Sequence, residues 1–325
     1  MALIFRWLIR LTALLIVLSV LAIGLVYWLA SRSLPDYTDN VTVRGVSAPV
    51  EIVRDNANVP HILGATDADV FFGLGFAHAQ DRMWQMITLR RTAQGRLSEV
   101  FGGATLNTDK LLRRLDIYTL SVQSIDALDA KTLAALTAYS AGVNARIEQI
   151  NSEALGRGAP EMMLFNAPMA PWRPADSVAI VKLMGLQLSG HLDAEVIRAR
   201  TSLVLPDADR LMDILPDAPG SGIAALPEYA SLAPGAPRYA ANTTTARHPL
   251  SPFKSFALAG ASNAWAAAPS RSASSGTLLA NDPHLGFSAP SIWYLARLEI
   301  AAGGVIGGTI PGVPVVLTGR SEALG

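Results

Sequence analysis

One change of pattern organises this chain. Up to about residue 203, apolar side chains recur mostly at helical spacing. After residue 262 they fall into short runs of strand character. Residues 215–261 separate the two regions. They carry Pro216, Pro219, Pro227, Pro234, Pro237, Pro249 and Pro252 among many Ala, Gly, Ser and Thr residues, and no periodic pattern persists there. Proline removes a backbone donor and blocks helix and ladder alike, so this stretch has the composition of a linker. A chain built this way folds as helices first and strands second, with a dispensable connection between them. The division expected is an N-terminal segment 1–34, a mostly helical region 35–214, a linker or spacer 215–261, and a strand-rich region 262–325.

The N-terminal segment has its own logic. Arg6 and Arg10 precede an uncharged apolar run over residues 11–30, and Arg32 follows it. At a rise of about 1.5 Å per residue such a run spans roughly 30 Å, the thickness of a hydrocarbon core. The basic flank stays cytoplasmic, so the body is expected outside the cytoplasm, in the periplasm of a bacterium or on the extracytoplasmic face, anchored in the inner membrane. Tyr27 and Trp28 suit an interfacial position at the outer end. An uncleaved anchor is the first reading. A cleaved signal is the second, because Leu29-Ala30-Ser31 is a weak match to a cleavage site.

Charge narrows the partners. Lys+Arg and Asp+Glu are both 26, so the formal net charge is zero and the basic footprint of a nucleic-acid binder is absent. There is no cysteine, which excludes thiol catalysis, cysteine-zinc sites and disulfides.

Within the helical region, residues 41–54 read as a hairpin with its turn over residues 45–49, followed by a loop at Asp55-Asn56-Ala57-Asn58 and an extended Val59-Pro60-His61-Ile62. A helical pattern covers residues 68–100, and Gly73, Gly75 and Gly95 suggest two helices with a break. Residues 124–151 and 174–203 are further helices, the latter opened by Pro174 and Asp176.

The strand-rich region opens on Ser262. Residues 262–268 and 277–283 read as the arms of one hairpin, joined by the Ser- and Gly-rich residues 269–276. Pairing the arms about that loop sets Ser262 opposite Pro283 and brings His284 beside it. If the chain is cut before Ser262, this serine carries a hydroxyl and a free α-amine. An α-amine has a pKa of about 7.7–8.0, close to working pH, and can serve as the hydroxyl's base. His284 then either orients the new amine or is a loop histidine capped by Asp282. The Gln80-Asp81-Arg82 cluster is read as packing and ion pairing around a helix.

These residues resemble a known family. Ser-Asn-Ala-Trp at 262–265, Leu-Leu-Ala-Asn-Asp-Pro-His-Leu-Gly at 278–286 and Gly-Gly-Thr-Ile-Pro-Gly-Val-Pro at 307–314 look like the β-chain opening of penicillin-acylase-type N-terminal-nucleophile hydrolases. Upstream, residues 50–62, 75–86 and 90–99 look like the α-chain opening, in the right order and spacing. The resemblance implies an α+β fold of the four-layer αββα type, here incomplete. It implies a precursor that cuts itself between Ala261 and Ser262, an α/β heterodimer afterwards, and amide hydrolysis through an acyl-enzyme on Ser262.

By the same resemblance His284 sides with the cephalosporin-acylase and acyl-homoserine-lactone-acylase branches. Met184 and Leu188 line an acyl pocket, Trp265 shapes the pocket floor, and Glu195 matches a carboxylate that helps bind a structural Ca²⁺, an ion that takes oxygen ligands. No cofactor is implied for catalysis. His191 lies four residues before Glu195, but a zinc site needs more ligands than the sequence offers. The family continues past residue 325, where its oxyanion donors would lie, so this length of chain alone is expected to be inactive. Two other classes stand beside this reading. One is a membrane-anchored, non-catalytic binding protein derived from an acylase. The other is a Ser-His-Asp hydrolase, for which no Gly-x-Ser-x-Gly elbow is present.

Overall fold

The computed structural model describes residues 2–152, 158–165, 169–188, 191–205, 207–215, 262–273, 275–283, 285 and 288–321, without the side chains of residues 163, 191–195 and 208. The linker expected at 215–261 lies outside the described residues apart from Leu215. Two compact units are distinguished: Met1–Val181 with Ala261–Gly325, and Lys182–Gly260.

The first element is helix α1 (Ala2–Ser31), exposed along its length and long and apolar enough to cross a membrane. Strands β1 (Glu51–Arg54) and β2 (Pro60–Leu63) then form an antiparallel pair. This corrects the expected hairpin over residues 41–54, because residues 41–44 join no ladder. The turn falls at Asp55 instead. The Asp55 carboxylate accepts the N–H groups of Ala57 and Val59, both at 2.9 Å, and Asn58 takes the left-handed φ of 60° that closes the loop.

Helix α2 (Asp67–Ala93) follows, capped by Thr66, whose hydroxyl accepts the N–H of Asp69. Burial alone would raise the Asp69 carboxyl, but hydrogen bonds from Ser47 and Thr66 hold it below the ordinary range. The helix kinks at Arg82 (φ −137°, ψ 24°) and not at Gly73 or Gly75, and it ends at Ala93, just before Gly95 takes a left-handed φ of 61°, which is the break expected there. Gly73 and Gly75 serve packing. Helices α3 (Ser98–Phe101), α4 (Leu106–Leu115) and α5 (Ile117–Ser124) lead to α6 (Ala130–Ser152), which lies against α2. A Cβ on Gly75 would sit 2.1 Å from the Tyr139 carbonyl oxygen, and one on Gly142 would sit 1.9 Å from that of Phe72. The two backbones touch where these glycines meet, which no other residue permits without separation. Short α7 (Glu161–Leu164) and α8 (Pro174–Leu188) come next.

The second unit contains the end of α8, α9 (His191–Ser202) and α10 (Ala208–Ile214). Asp207 caps α10 by accepting the N–H groups of Asp209 and Arg210.

The remaining strands are β3 (Ser262–Ala267), β4 (Leu278–Pro283), β5 (Tyr294–Ile300), β6 (Gly303–Ile310) and β7 (Val313–Ser321). β3 and β4 pair with each other. The others join β1 and β2 in one five-stranded sheet of order β1-β2-β5-β6-β7. β2 and β5 run parallel, with His61 beside Arg297 and Ile62 beside Leu298; the other pairs are antiparallel. Alternation along β5 buries Tyr294, Ala296 and Leu298 and leaves Leu295 exposed. Helix α2 packs on this sheet, and α6 packs on α2. The architecture is α+β, as the resemblance implies.

Candidate active site

The β3/β4 hairpin supplies the candidate nucleophile. Ser262 is the first residue of β3, is exposed, and lies opposite Pro283. This is the register that pairing the arms about residues 269–276 predicts. His284 follows Pro283 directly in the chain; it and Ala261 lie outside the described residues. Trp265 pairs with Ala280 on the same hairpin and is 58% exposed. Asn281, opposite Ala264, donates its side-chain amide to the Thr318 hydroxyl and so ties the hairpin to β7.

The loop from the hairpin to β5 is held from the helical side. Arg82 Nη1 and Gln85 Nε2 donate to the Ser291 carbonyl oxygen at 3.0 Å and 3.2 Å. Trp293 then lays its ring on Gly308, where a Cβ would come within 3.1 Å of the ring carbon Cε3. Among the described residues its buried indole N–H has no hydrogen-bond partner.

Two buried polar networks fix the sheet to the helices beneath this surface. In the first, His78 is fully buried between Tyr139 on α6 and Thr309 on β6, with Nδ1 2.8 Å from the Tyr139 hydroxyl and Nε2 2.9 Å from the Thr309 hydroxyl. The proton directions are determined. The Gly312 N–H donates to the Tyr139 oxygen, so the Tyr139 hydroxyl proton is free for His78 Nδ1. The Thr309 hydroxyl donates to the Tyr294 carbonyl, so its oxygen accepts from His78 Nε2–H. His78 is therefore neutral and protonated at Nε2. Burial, with the nearby Arg82 charge, pushes its pKa down to about 3.

The second network centres on Asp81. Its carboxylate takes the Tyr294 hydroxyl at 2.6 Å, the Tyr37 hydroxyl at 3.1 Å and the Arg54 guanidinium at 2.9 Å. Arg54 also reaches Gln80 and stacks over the Tyr37 ring at 3.9 Å. Burial and the Asp81 charge raise the Tyr294 hydroxyl above its ordinary pKa, so it remains a donor. The expected packing and ion-pairing role of Gln80, Asp81 and Arg82 is what these contacts describe. Neither network was legible in the sequence, since Tyr139 and Thr309 lie 61 and 231 residues from His78.

Of the other expected site residues, Met184 is half-buried and Leu188 is 61% exposed, both at the end of α8 in the second unit. Glu195 is on α9, with its side chain outside the described residues. Among the described residues no group of three or more His, Asp or Glu side chains could hold a metal ion.

Residues 49–325 match the family model described as penicillin amidase. The chain is 35% identical over 293 residues to the penicillin acylase 2 proenzyme of Pseudomonas sp. (strain SE83), covering 87% of this chain and 36% of that protein. It is 29% identical over 311 residues to the acyl-homoserine lactone acylase QuiP of Pseudomonas fluorescens, covering 90% and 35%. A solved structure of a thermostable penicillin G acylase from Alcaligenes faecalis matches with 25% identity and a TM-score of 0.43, covering 55% of this chain and 97% of that one. The chain thus spans about a third of the length of the curated relatives it matches. A match that runs from β1 through the hairpin to the last residue puts this chain in the penicillin amidase family.

Proposed function

We propose that this chain carries the nucleophile of an extracytoplasmic acylase that is cut before Ser262 and hydrolyses N-acyl amides. The observation that carries the reading is the hairpin register, which sets Ser262 against Pro283 and so next in line to His284. One of the relatives is named a proenzyme, in keeping with a maturation cut.

In maturation, Ser262 Oγ attacks the Ala261 carbonyl carbon and the peptide C–N bond breaks. The acyl group passes to oxygen, and one water then hydrolyses the ester. The products are a new carboxylate at Ala261 and a free amine on Ser262. In turnover that amine takes the Ser262 hydroxyl proton as the oxygen attacks the substrate's amide carbon, and the proton passes to the leaving amine. Water then releases the acid from the acyl-enzyme. His284 orients the Ser262 amine, Trp265 shapes the pocket floor, and Met184 and Leu188 favour an apolar acyl group. The relatives are named for penicillin and acyl-homoserine lactones, so β-lactam side-chain amides and N-acyl-homoserine lactones are the substrates proposed. Calcium on Glu195 would be structural. Helix α1 would hold the enzyme at the outer face of the membrane, and the two products of the cut would stay together as a heterodimer.

The test is N-terminal sequencing of the purified full-length protein. A fragment beginning Ser-Asn-Ala-Trp is expected, and Ser262→Ala should abolish it together with hydrolysis of both substrate classes. Recovery of only the intact chain, or turnover that survives Ser262→Ala, would overturn the proposal.

A further inference from the structure

Strand β1 ends the five-stranded sheet. It carries β2 on one edge, and among the described residues its other edge has no strand. The turn at Asp55 fixes which backbone groups face which way. The Asp55 N–H donates to the Val59 carbonyl oxygen at 3.2 Å, so the odd-numbered groups of β1 point toward β2. Pro60, which has no N–H to give, accordingly stands opposite an even-numbered residue, Arg54. The N–H groups of Ile52 and Arg54 therefore point to the free edge.

Residues 36–47 form an arch across a cavity from this strand. One foot of the arch is tied to α2 where the Gln80 amide donates to the Asp36 carbonyl oxygen at 3.3 Å and the Tyr37 hydroxyl donates to Asp81 at 3.1 Å. The other foot is tied to α2 where Ser47 gives its N–H and its hydroxyl to the Asp69 carboxylate, at 2.7 Å and 2.5 Å. Among the described residues the backbone of residues 39–46 makes no hydrogen bond to another backbone group. The cavity between arch and strand measures about 610 Å³, within the range of pockets that hold ligands. With both feet tied, it stands open before a ligand arrives, so little ordering is needed on binding.

The lining says what fits. Val50 and Ile52 on β1 face α2: a Cβ on Gly73 would come 2.8 Å from Val50 Cγ1, and Ile52 pairs with buried Ile62. Phe72 and Phe76 on α2 complete this apolar floor. Glu51, between Val50 and Ile52, points the opposite way. Asp36, Asp39 and Glu51 all line the cavity, while the lining cation Arg54 is already paired with Asp81 at 2.9 Å. The excess charge is negative, which favours a basic ligand. Unpaired backbone groups on the strand side are satisfied by one more extended backbone.

We propose that this cavity takes an extended basic segment of a partner protein, which adds a strand to the free edge of β1. Alternate side chains of the segment are apolar and lie beside Val50 and Ile52, over Phe72 and Phe76. Those between them are Lys or Arg and lie on the side of Glu51.

The test uses the full-length protein and three probes. These are acetyl-Val-Lys-Val-Lys-Val-amide, its counterpart with Glu in place of Lys, and the Lys peptide N-methylated at every residue. The last keeps charge and side chains but loses the backbone N–H groups that pair with a strand. By calorimetry the Lys peptide should bind at least about tenfold tighter than either of the others. Asp39→Lys with Glu51→Lys should weaken it by about tenfold or more. In hydrogen exchange it should slow the Ile52 and Arg54 amides by at least about tenfold and leave that of Val53, which points toward β2, unchanged. Equal binding of the Lys and Glu peptides, or binding that survives N-methylation, would overturn the proposal. So would slow exchange of Ile52 and Arg54 with no peptide present, which would show the edge already covered by this protein's own chain.

Discussion

Acid should weaken this fold through one residue. His78 is neutral and fully buried, with a pKa of about 3 in place of the usual 6.5. Protons that the unfolded chain binds below pH 6.5 are refused by the native state until about pH 3. Stability is therefore fully present above pH 6.5 and is lost as pH falls through that window. At about 1.4 kcal/mol per pH unit, the loss attributable to His78 is about 2 kcal/mol at pH 5 and about 3 kcal/mol at pH 4. A His78→Gln variant keeps a donor and an acceptor but cannot titrate. It should be less stable than wild type near pH 7.5 by about 1–3 kcal/mol, since its amide cannot reach both hydroxyls as the imidazole does. Between pH 7.5 and pH 5 that difference should shrink by about 2 kcal/mol, because only the wild type pays the proton cost. Urea unfolding of both proteins in the same detergent, followed by tryptophan fluorescence at several pH values, measures this directly. Carboxylates titrate alike in the two proteins and cancel. A stability difference that does not change with pH would refute the assignment of His78 as neutral in the native state.

Two further substitutions probe the packing. Asp176→Ala removes the carboxylate that pairs with buried Arg90 at 3.5 Å and takes the Tyr118 hydroxyl at 2.8 Å and the Arg173 N–H at 2.8 Å. Stranding that guanidinium should cost about 3–5 kcal/mol in urea unfolding, and a cost below about 1 kcal/mol would show that Arg90 is held by the Ala170 and Pro171 carbonyls alone. Gly142→Ala forces a methyl onto the Phe72 carbonyl and should lower stability by at least about 1–3 kcal/mol. Gly185→Ala, on a helix with nothing within 4 Å of the new methyl, should raise it by up to about 1 kcal/mol, and equal effects of the two would contradict the close crossing of α2 and α6.

What the sequence made legible was local. The β3/β4 register could be read from residues 262–283 because two short arms of equal length flank one Ser- and Gly-rich connection. The helices at 124–151 and 174–203 announced themselves by period and by Pro174; α6 takes up most of the first, and α8 and α9 cover the second up to Ser202 apart from residues 189–190, which lie outside the described residues. Failures came where a distant partner decides. Residues 41–44 have strand propensity, but β1 takes β2 as its partner because the Asx turn at Asp55 closes a shorter hairpin. Gly73 and Gly75 look like helix breakers in isolation, yet Gly75 is required by a backbone more than sixty residues away and Gly73 by the side chains of Ile62 and Val50. Pro311 and Gly312 do not end the sheet: Gly312, at φ 104°, makes the tight turn between β6 and β7.

The parallel pairing of β2 with β5 has a consequence for how such a protein is made. His61 and Arg297, partners in that ladder, are separated by the whole helical region and the linker. At roughly 5–20 residues per second of synthesis, β2 waits for tens of seconds with its ladder edge open. Contacts this remote are slow to form, and the covalent linker is what keeps the late strands at high effective concentration near the early ones. A cut before Ser262 made only after the sheet has closed would remove that advantage for good. The native state would persist, but a molecule that unfolded would have to reassemble from two pieces. The linker would then be a folding aid used once, and the lifetime of a mature protein would be set by its unfolding rate and not by an equilibrium it can revisit.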